Sequence, residues 1–334
     1  MTLNKTVLVT GGAGYIGSHV CKALAQQGYL PVAYDNLSHG HDWAVNWGPL
    51  ELGDVLDHQR LSQVMRQYMP AAVMHFAAFA SVGESVEEPS KYYHNNVIGS
   101  LSLLDAMREH GISNLVFSST CATYGAPMHM PITESHPQKP INPYGHNKLQ
   151  VEQRLQELAD FDQLNSISLR YFNAAGADPE ADIGEDHHPE THLIPLVLDV
   201  ALGRRESISI FGNDYDTPDG TCIRDYIHVL DIAQAHIRAL NALEQGAQTT
   251  VYNIGNGQGY SVQEVIDAVQ RVTGCEVATT VAPRREGDPP RLVGDASKLR
   301  AELSWEPEFA KLDSIIQTAW AWHKSHFSAP NIGV

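Results

Sequence analysis

The sequence predicts an α/β protein with a doubly wound parallel sheet and a smaller C-terminal α/β domain. Three observations support this: a glycine-rich turn after a β-prone segment, an alternation of strand-like and helix-like segments, and longer polar loops after about residue 176. Strands that alternate with helices are typical of parallel sheets covered by helices on both faces. We therefore expect a first domain over residues 1–175 and a second over residues 176–334.

The glycine-rich turn follows the β-prone segment Thr6–Thr10 directly. Gly12, Gly14 and Gly17 fit the pattern G-x-G-x-x-G, and Gly11 with the last two fits the related G-x-x-G-x-x-G. Glycine permits the tight turn and lets the main chain approach a pyrophosphate closely. The helix that begins there offers free N–H groups to the phosphates. Strand, turn and helix in this order predict a dinucleotide site.

A second β-prone segment, residues 31–35, ends in Asp35, 18 residues after Gly17. A carboxylate at this place accepts hydrogen bonds from the ribose of adenosine. Asn36 follows it instead of an arginine, so nothing obvious there holds a 2′-phosphate. The alternative is a glycine turn in an unrelated α/β protein, but two signals in the right order favour a Rossmann-type domain that binds NAD.

The composition excludes several classes of partner. The 334 residues include 22 Lys and Arg against 39 Asp and Glu, a formal net charge of −17, and no basic run occurs. We therefore expect neither nucleic acid nor an anionic membrane as a partner. No apolar stretch approaches the length of a membrane span, and the N-terminus runs directly into the first strand, so we expect no signal peptide.

The cysteines and histidines suggest no metal centre. The four cysteines are far apart and form no C-x-x-C, so neither zinc nor a disulfide framework is expected, and a reducing cytoplasm fits best. His187 and His188 lie in an acidic, proline-flanked loop, where solvated side chains are more common than metal ligands.

Further β-prone segments at residues 71–78, 114–119 and 166–171 alternate with helical patterns such as residues 101–107. In doubly wound sheets, ligands bind beyond the carboxyl ends of the strands. The side chains near these ends are therefore candidate site residues: Asp54, Val55, Phe76, Ala77, Ala78, Ser118, Ser119, Thr120, Tyr171, Phe172 and Asn173.

Tyr144 and Lys148 form a second signature, in a segment that Asn142 can cap and Pro143 can begin. Four residues apart, they share one face of a helix. A phenol with a pKa of about 10 is a poor base at pH 7, and an ammonium beside it favours the phenolate. A lone Tyr-x-x-x-Lys also fits a surface pair. Because this one follows a dinucleotide pattern and the cluster at residues 118–120, we interpret it as catalytic.

The most distinctive segments read IFGNDY at residues 210–215, RDYIHV at 224–229 and APRREGD at 282–288. Together with the glycine turn, they make the chain similar, over essentially its whole length, to the extended short-chain dehydrogenase/reductase family and to its nucleotide-sugar 4-epimerase group. The resemblance implies that bound NAD supports interconversion of UDP-glucose and UDP-galactose through a transient 4-keto sugar, as in galactose metabolism. It also implies a homodimer formed by helices that begin near Lys91 and Tyr144.

The resemblance implies a role for each site residue. Tyr144 as phenolate takes the proton of the sugar 4-hydroxyl, Thr120 hydrogen-bonds the 4-oxygen, and Lys148 holds the nicotinamide ribose and tunes Tyr144. The implied NAD site comprises Gly11, Gly14, Tyr15, Ile16, Gly17, Asp35, Asn36, Asp54, Val55, Phe76, Ala77, Ala78, Asn95, Ser118, Tyr144, Lys148 and Phe172. The implied UDP-sugar site comprises Thr120, Tyr144, Asn173, His192, Leu193, Phe211, Arg224, Tyr226, Arg285, Asp288 and Leu292.

The sequence departs from the family pattern in two places. Ala80 stands where many members carry lysine near the cofactor, and His192 stands where some carry asparagine beside the diphosphate. At the position of Leu292, a large tyrosine goes with plain hexoses and a smaller side chain with N-acetyl sugars. Leucine is smaller than tyrosine, so we expect the hexose pair to be preferred and UDP-N-acetylglucosamine to be turned over more slowly.

Several alternatives remain beside the hexose epimerase. Related 4,6-dehydratases follow the threonine with Asp-Glu, whereas Cys121 and Ala122 follow Thr120 here, so dehydration lacks its acid and base. An epimerase of UDP-N-acetylglucosamine or another UDP-sugar, a dehydrogenase that exchanges NAD freely, and a non-catalytic NAD(H) sensor on the same fold stay open. For Arg224 and Arg285, ordinary surface ion pairing is the alternative to diphosphate binding.

Overall fold

The main sheet contains seven parallel strands. The computed structural model describes residues 5–161, 164–285 and 288–327, so Met1–Asn4 and the motif residues Glu286 and Gly287 lie outside it. In chain order the strands are β1 (Thr6–Thr10), β2 (Leu30–Asp35), β3 (Leu50–Leu52), β4 (Ala72–His75), β5 (Asn114–Thr120), β6 (Asn165–Tyr171) and β10 (Thr250–Ile254). They lie side by side in the order β10-β6-β5-β4-β1-β2-β3, which confirms the predicted doubly wound sheet.

Helices cover both faces of this sheet. The helices of the chain are α1 (Tyr15–Gln26), α2 (His58–Tyr68), α3 (Val82–Glu87), α4 (Pro89–Tyr93), α5 (Gly99–Glu109), α6 (Pro143–Phe161), α7 (Leu193–Ala201), α8 (Val229–Glu244), α9 (Val262–Thr273), α10 (Ser297–Leu303) and α11 (Leu312–Phe327). Helices α1 and α8 bury Leu24 and Leu240 against one face. Helices α2, α5 and α6 bury Val64, Leu103 and Val151 against the other. Buried strands such as Val7–Val9 are apolar on both sides because both faces are covered.

The C-terminal half builds a smaller α/β unit. Its strands are β7 (Asn173–Ala175), β8 (Ile208–Phe211), β9 (Ile223–His228), β11 (Gly259–Ser261), β12 (Thr279–Ala282) and β13 (Arg291–Leu292). Strand β9 pairs with β7, β11 and β13, and β8 pairs with β12. Helices α7, α9 and α11 enclose a separate core with Val197, Val265 and Ile316. This unit sits beside the carboxyl edge of the main sheet, because β7 follows β6 after one residue.

The two units exchange elements along the chain. Helix α8 packs on α1, and β10 pairs with β6 along its whole length, although both follow residue 176 in sequence. A division at 175/176 therefore separates these two elements from the sheet on which they pack. The site lies where the chain crosses from one unit to the other. Among the described residues, no helix is both long and apolar enough to cross a membrane.

Candidate active site

The glycine turn between β1 and α1 forms a cradle that excludes side chains. A Cβ on Gly17 would lie 2.1 Å from the carbonyl oxygen of Gly11, and one on Gly11 would lie 2.6 Å from the backbone nitrogen of Ala77. Gly11 also has a φ of +73°, in the left-handed region that favours glycine. Helix α1 begins at Tyr15 with Gly14 as its N-cap, and no side chain caps it. The open helix terminus and bare backbone fit a pyrophosphate.

Asp35 ends β2 beside this cradle. Its carboxylate accepts hydrogen bonds from the backbone N–H groups of Ala13, at 3.0 Å, and Leu37, at 2.9 Å. Burial raises its pKa. The following Asn36 donates to the Asp54 carboxylate at 2.8 Å. These bonds orient the carboxylate where a ribose of the expected dinucleotide would lie, and the neighbouring side chain is a neutral amide.

One cavity runs from the cradle to Tyr144 and Lys148. Fifteen of the seventeen residues predicted to bind the dinucleotide line it; Asp54 and Phe172 do not. Asp54 lies next to it through Asn36, whereas the buried Phe172 ring packs against Tyr124 and Ile132. Ala80 and His192 also line the cavity. Sequence reasoning did not assign to the dinucleotide site these further lining residues: Tyr34, Ser38, His39, Gly40, Gly53, Phe79, Tyr171, Ala174 and His187.

Helix α6 presents Tyr144 and Lys148 to the cavity. The Asn142 side chain accepts the backbone N–H of Gly145 at 2.8 Å, and Pro143 is the first helical residue, as predicted. The Lys148 ammonium donates to the carbonyl oxygen of Ser118 at 2.9 Å and lies 6.0 Å from the centre of the Tyr144 ring. The lysine is 4% exposed. The end of β5 and the first turns of α6 therefore form one polar centre.

The pKa values of this pair differ from the sequence expectation. Burial raises the pKa of Tyr144 to about 12, and the Thr120 hydroxyl only partly opposes it. Burial lowers the pKa of Lys148 to about 7, against the attraction of Glu152. In the polypeptide alone Tyr144 therefore favours the neutral phenol at pH 7, and Lys148 loses its proton more readily than an exposed lysine, because a closely packed site disfavours any single charge. Additional positive charge in the cavity would favour the phenolate further.

A second group of predicted residues gathers around strand β9. Asn173 on β7 pairs with Tyr226, and Leu292 on β13 pairs with Arg224. The Arg224 guanidinium contacts the Asp288 carboxylate at 3.1 Å. At the end of β8, the Arg285 guanidinium lies 4.0 Å from the centre of the Phe211 ring. The loop residue His192 and the first residue of α7, Leu193, complete the predicted set.

The two histidines predicted to be solvated differ in exposure: the His187 side chain is 30% exposed and the His188 side chain 77%. His187 lies 3.3 Å from the Glu185 carboxylate, which His192 also contacts. Although burial alone would lower it, the carboxylates of Glu185 and Glu190 raise the pKa of His187 to about 10. The loop therefore turns the His187 imidazolium toward the cavity, together with His192, whose pKa the same carboxylates raise. Sequence gave one signal for this, the spacing of acids and histidines within residues 185–192.

We predict that Gly17→Ala lowers the affinity for NAD by at least about tenfold, or about 1.4 kcal/mol. Its methyl group would meet the Gly11 carbonyl, and the backbone would have to move out of the phosphate cradle. Calorimetric titration of NAD into protein stripped of nucleotide measures the effect. Gly83→Ala is the matched control, since nothing lies within 4 Å of the added Cβ. Equal affinities in the two variants would contradict the role of the cradle.

Proteins of known activity resemble this chain over nearly its whole length. The UDP-glucose 4-epimerase of Rhizobium meliloti (strain 1021) is 54% identical over 320 residues, covering 96% of this chain and 97% of that protein. The crystal structure of UDP-glucose 4-epimerase from Brucella ovis in complex with NAD has a TM-score of 0.93 at 51% identity, covering 95% of this chain and 98% of that one.

A third similar protein is the UDP-Glc/GlcNAc 4-epimerase from Campylobacter jejuni, with a TM-score of 0.84 at 39% identity, covering 96% of this chain and 100% of that one. The sequence matches the NAD dependent epimerase/dehydratase family over residues 7–255, which is more than half of its length. The glycine cradle, the acid that ends β2 and the Tyr144–Lys148 pair all lie within that match. The chain belongs to the NAD dependent epimerase/dehydratase family.

Proposed function

We propose that this chain is an NAD-dependent UDP-glucose 4-epimerase, which interconverts UDP-glucose and UDP-galactose. One observation carries the proposal: Tyr144 and Lys148 meet the end of β5 in the same cavity as the glycine cradle. Identity of 54% to a UDP-glucose 4-epimerase over nearly the full length supports the choice of reaction. Galactose metabolism is the corresponding process, and four free cysteines fit a reducing cytoplasm.

In the proposed reaction, Tyr144 removes the proton of the sugar 4-hydroxyl and later returns it. Bound NAD⁺ supplies the hydride acceptor and a positive charge at its nicotinamide ring. Thr120 holds the 4-oxygen beside Tyr144, and Lys148 stabilises the phenolate. Burial raises the pKa of Tyr144 in the polypeptide alone, so the positive charge of a bound nicotinamide ring would favour formation of the phenolate.

The residues around β9 would hold the uridine diphosphate. Arg224 and Arg285 suit a diphosphate because a guanidinium donates two parallel, charged hydrogen bonds. Arg224 is largely buried at its side chain, and its ion pair with Asp288 holds it in place. This burial supports diphosphate binding over ordinary surface pairing. His192 and Leu193 enclose the same region from α7, so in this proposal residues 176–334 contribute most of the UDP-sugar site.

Two residues after Thr120 argue against a dehydratase. Cys121 and Ala122 carry a thiol and a methyl group, and burial raises the pKa of Cys121 to about 12. Dehydration needs an acid for the leaving hydroxyl and a base at C5. Neither side chain supplies these at neutral pH, which supports epimerisation.

Incubation of the purified protein with UDP-galactose tests the proposed function. We expect UDP-glucose to form without net accumulation of NADH. Accumulation of NADH in proportion to product would instead identify a dehydrogenase that exchanges its cofactor. Retention of NAD with no conversion of the sugar would identify a non-catalytic NAD(H) sensor.

Tyr144→Phe should lower kcat by about 1000-fold, because the variant keeps the ring and loses the acid–base group. UDP affinity, measured by calorimetry, should stay within about twofold, since the substitution adds no bulk. Tyr93→Phe, on the exposed side of α4, is the matched control and should keep full activity. Near-full activity of Tyr144→Phe would remove this residue from the mechanism.

Leu292 is the proposed gate for the substituent at sugar C2. The Leu292 and Cys121 side chains both pack against the buried cluster of Tyr124, Ile132 and Phe172, and Cys121 directly follows Thr120. This shared packing supports a position of Leu292 near the proposed position of the sugar. A leucine there leaves more room than tyrosine but less than a small side chain. We therefore propose that UDP-glucose and UDP-galactose are preferred and that UDP-N-acetylglucosamine is turned over more slowly.

We predict that Leu292→Tyr abolishes turnover of UDP-N-acetylglucosamine and spares the hexose pair. A buried steric clash costs about 1–3 kcal/mol, enough to change selectivity by one or two orders of magnitude. The measurement is the ratio of kcat/KM for the two substrates. Leu292→Met conserves volume and should leave the ratio unchanged. An unchanged ratio in Leu292→Tyr would show that another residue is the gate.

We also propose a homodimer through α6 and the helical segment from Pro89 to Glu109. Close to α6, Val86 and Tyr93 are 62% and 45% exposed, and apolar helix faces of this kind pair in four-helix bundles. A dimeric mass in solution at micromolar concentration is expected, and Val86→Glu with Tyr93→Glu should shift it to the monomer. Met69→Glu, 80% exposed at the end of α2, is the control. A monomeric wild type would contradict the dimer.

A further inference from the structure

A buried ion pair lies directly below the Tyr144–Lys148 centre. Glu152 is the next residue at four-residue spacing on the same face of α6. Its carboxylate accepts the Nε–H of Arg170 at 2.9 Å and a second guanidinium N–H, forming a two-point contact. The two side chains are 8% and 4% exposed. An ion pair this deeply buried is expensive to desolvate, so its net contribution to the free energy of unfolding is small.

The pair ties α6 to the two strands whose ends build the site. Arg170 on β6 lies directly opposite Ser119 on β5, and the Ser119 hydroxyl also donates to Glu152. Since side chains alternate along a strand, Ser118 and Thr120 point to the opposite side from Ser119. The carbonyl oxygen of Ser118 accepts a hydrogen bond from the Lys148 ammonium. A shift of Glu152 would therefore move the helix relative to the strand residues that meet Lys148.

The guanidinium is held from its other side as well. Arg170 donates to the Tyr124 hydroxyl at 2.8 Å, and Tyr124 donates to the Asn253 side chain on β10 at 2.7 Å. Gln138 adds a hydrogen bond to the Glu152 carboxylate at 3.1 Å. The carboxylate thus has a single position, fixed by β5, β6 and, through Tyr124, by β10.

The groups that face Lys148 show what this carboxylate does. On α6 they are Tyr144 and Glu152. From β4 comes His75, whose pKa burial lowers to about 3, so it is neutral. Tyr171 on β6 bonds to the Ser118 hydroxyl on the opposite side of the sheet from Ser119, and it is also neutral at ordinary pH, since burial raises its pKa. Among these groups Glu152 carries the carboxylate whose charge, partly balanced by Arg170, favours the protonated form of the lysine.

We propose that Glu152 is a positioning residue for catalysis. Held by Arg170 and Ser119, it fixes the position of α6 relative to β5, and it keeps Lys148 protonated as an ammonium. This inference rests on the proposed epimerase function. It adds a third residue to the Tyr144–Lys148 face of the helix, one that touches neither sugar nor cofactor and acts through Lys148.

Glu152→Gln tests the proposal in the purified, NAD-bound protein. The amide keeps the shape and removes the charge. We expect kcat for UDP-galactose to fall about 100-fold, as small misplacements of reacting groups do, with KM within about twofold. Loss of the carboxylate lowers the pKa of Lys148, so the basic limb of the kcat–pH profile should move to lower pH. The Lys148 pKa is read independently by NMR of ¹³Cε-labelled lysine, assigned with Lys148→Met.

The control and the second variant separate this role from a merely structural one. Glu157→Gln, from the exposed Arg154–Glu157 pair on the same helix, should change neither kcat nor the profile. Glu152→Asp keeps the charge and shortens the side chain, so kcat should fall while the basic limb of the pH profile stays in place. This variant also tests the proposal if Glu152→Gln does not fold. Unchanged kcat in either variant, or a fall in Glu152→Gln without movement of the Lys148 pKa, would overturn the proposal. Absence of wild-type epimerase activity would instead overturn the proposed function.

Discussion

Burial of the Lys148 ammonium is the constraint on which the rest of the site depends. A lysine with 4% exposure loses its hydration, and burial lowers its pKa to about 7. Its remaining partners are the carbonyl oxygen of Ser118 and the charge of Glu152. This balance leaves the lysine close to losing its proton at neutral pH. A small change in nearby charge then decides whether Tyr144 has a cationic neighbour. This suits a tyrosine that must alternate between phenolate and phenol within one reaction cycle.

The parallel sheet explains why these groups meet. Carboxyl ends of adjacent strands lie at one edge, so the cradle after β1, Asp35 at the end of β2 and Ser118 near the end of β5 line the same cavity. The crossover into β7 places the smaller unit beside that edge. Substrate-binding candidates on β8, β9 and β13 thereby approach the catalytic helix without belonging to the main sheet. In the proposed function, the main sheet would hold most of the cofactor and the smaller unit most of the sugar nucleotide, with Tyr144 on α6 belonging to both predicted sets.

Local patterns predicted the sheet, the glycine turn and the helix that begins at Pro143, because each depends on neighbouring residues. Helix α1 begins at Tyr15, within the glycine turn, so Gly17 belongs to the helix as well as to the cradle. Strand periodicity cannot say that β10 pairs with β6, about 80 residues earlier in the chain. For the same reason, the sequence could not predict that Arg170 contacts Glu152 or that His187 lies beside the cavity; both were seen only in the structure.

The central claim is that the configuration at sugar C4 is inverted with no net redox change, in a single site that keeps its cofactor bound throughout. UDP-galactose deuterated at C4 tests it most directly. We predict that the UDP-glucose product, analysed by mass spectrometry and NMR, keeps the deuterium at C4 in full, because the hydrogen removed from C4 would be returned to C4 within the same site without exchange with solvent. Loss of the label to solvent, or its appearance in free reduced cofactor, would contradict the account.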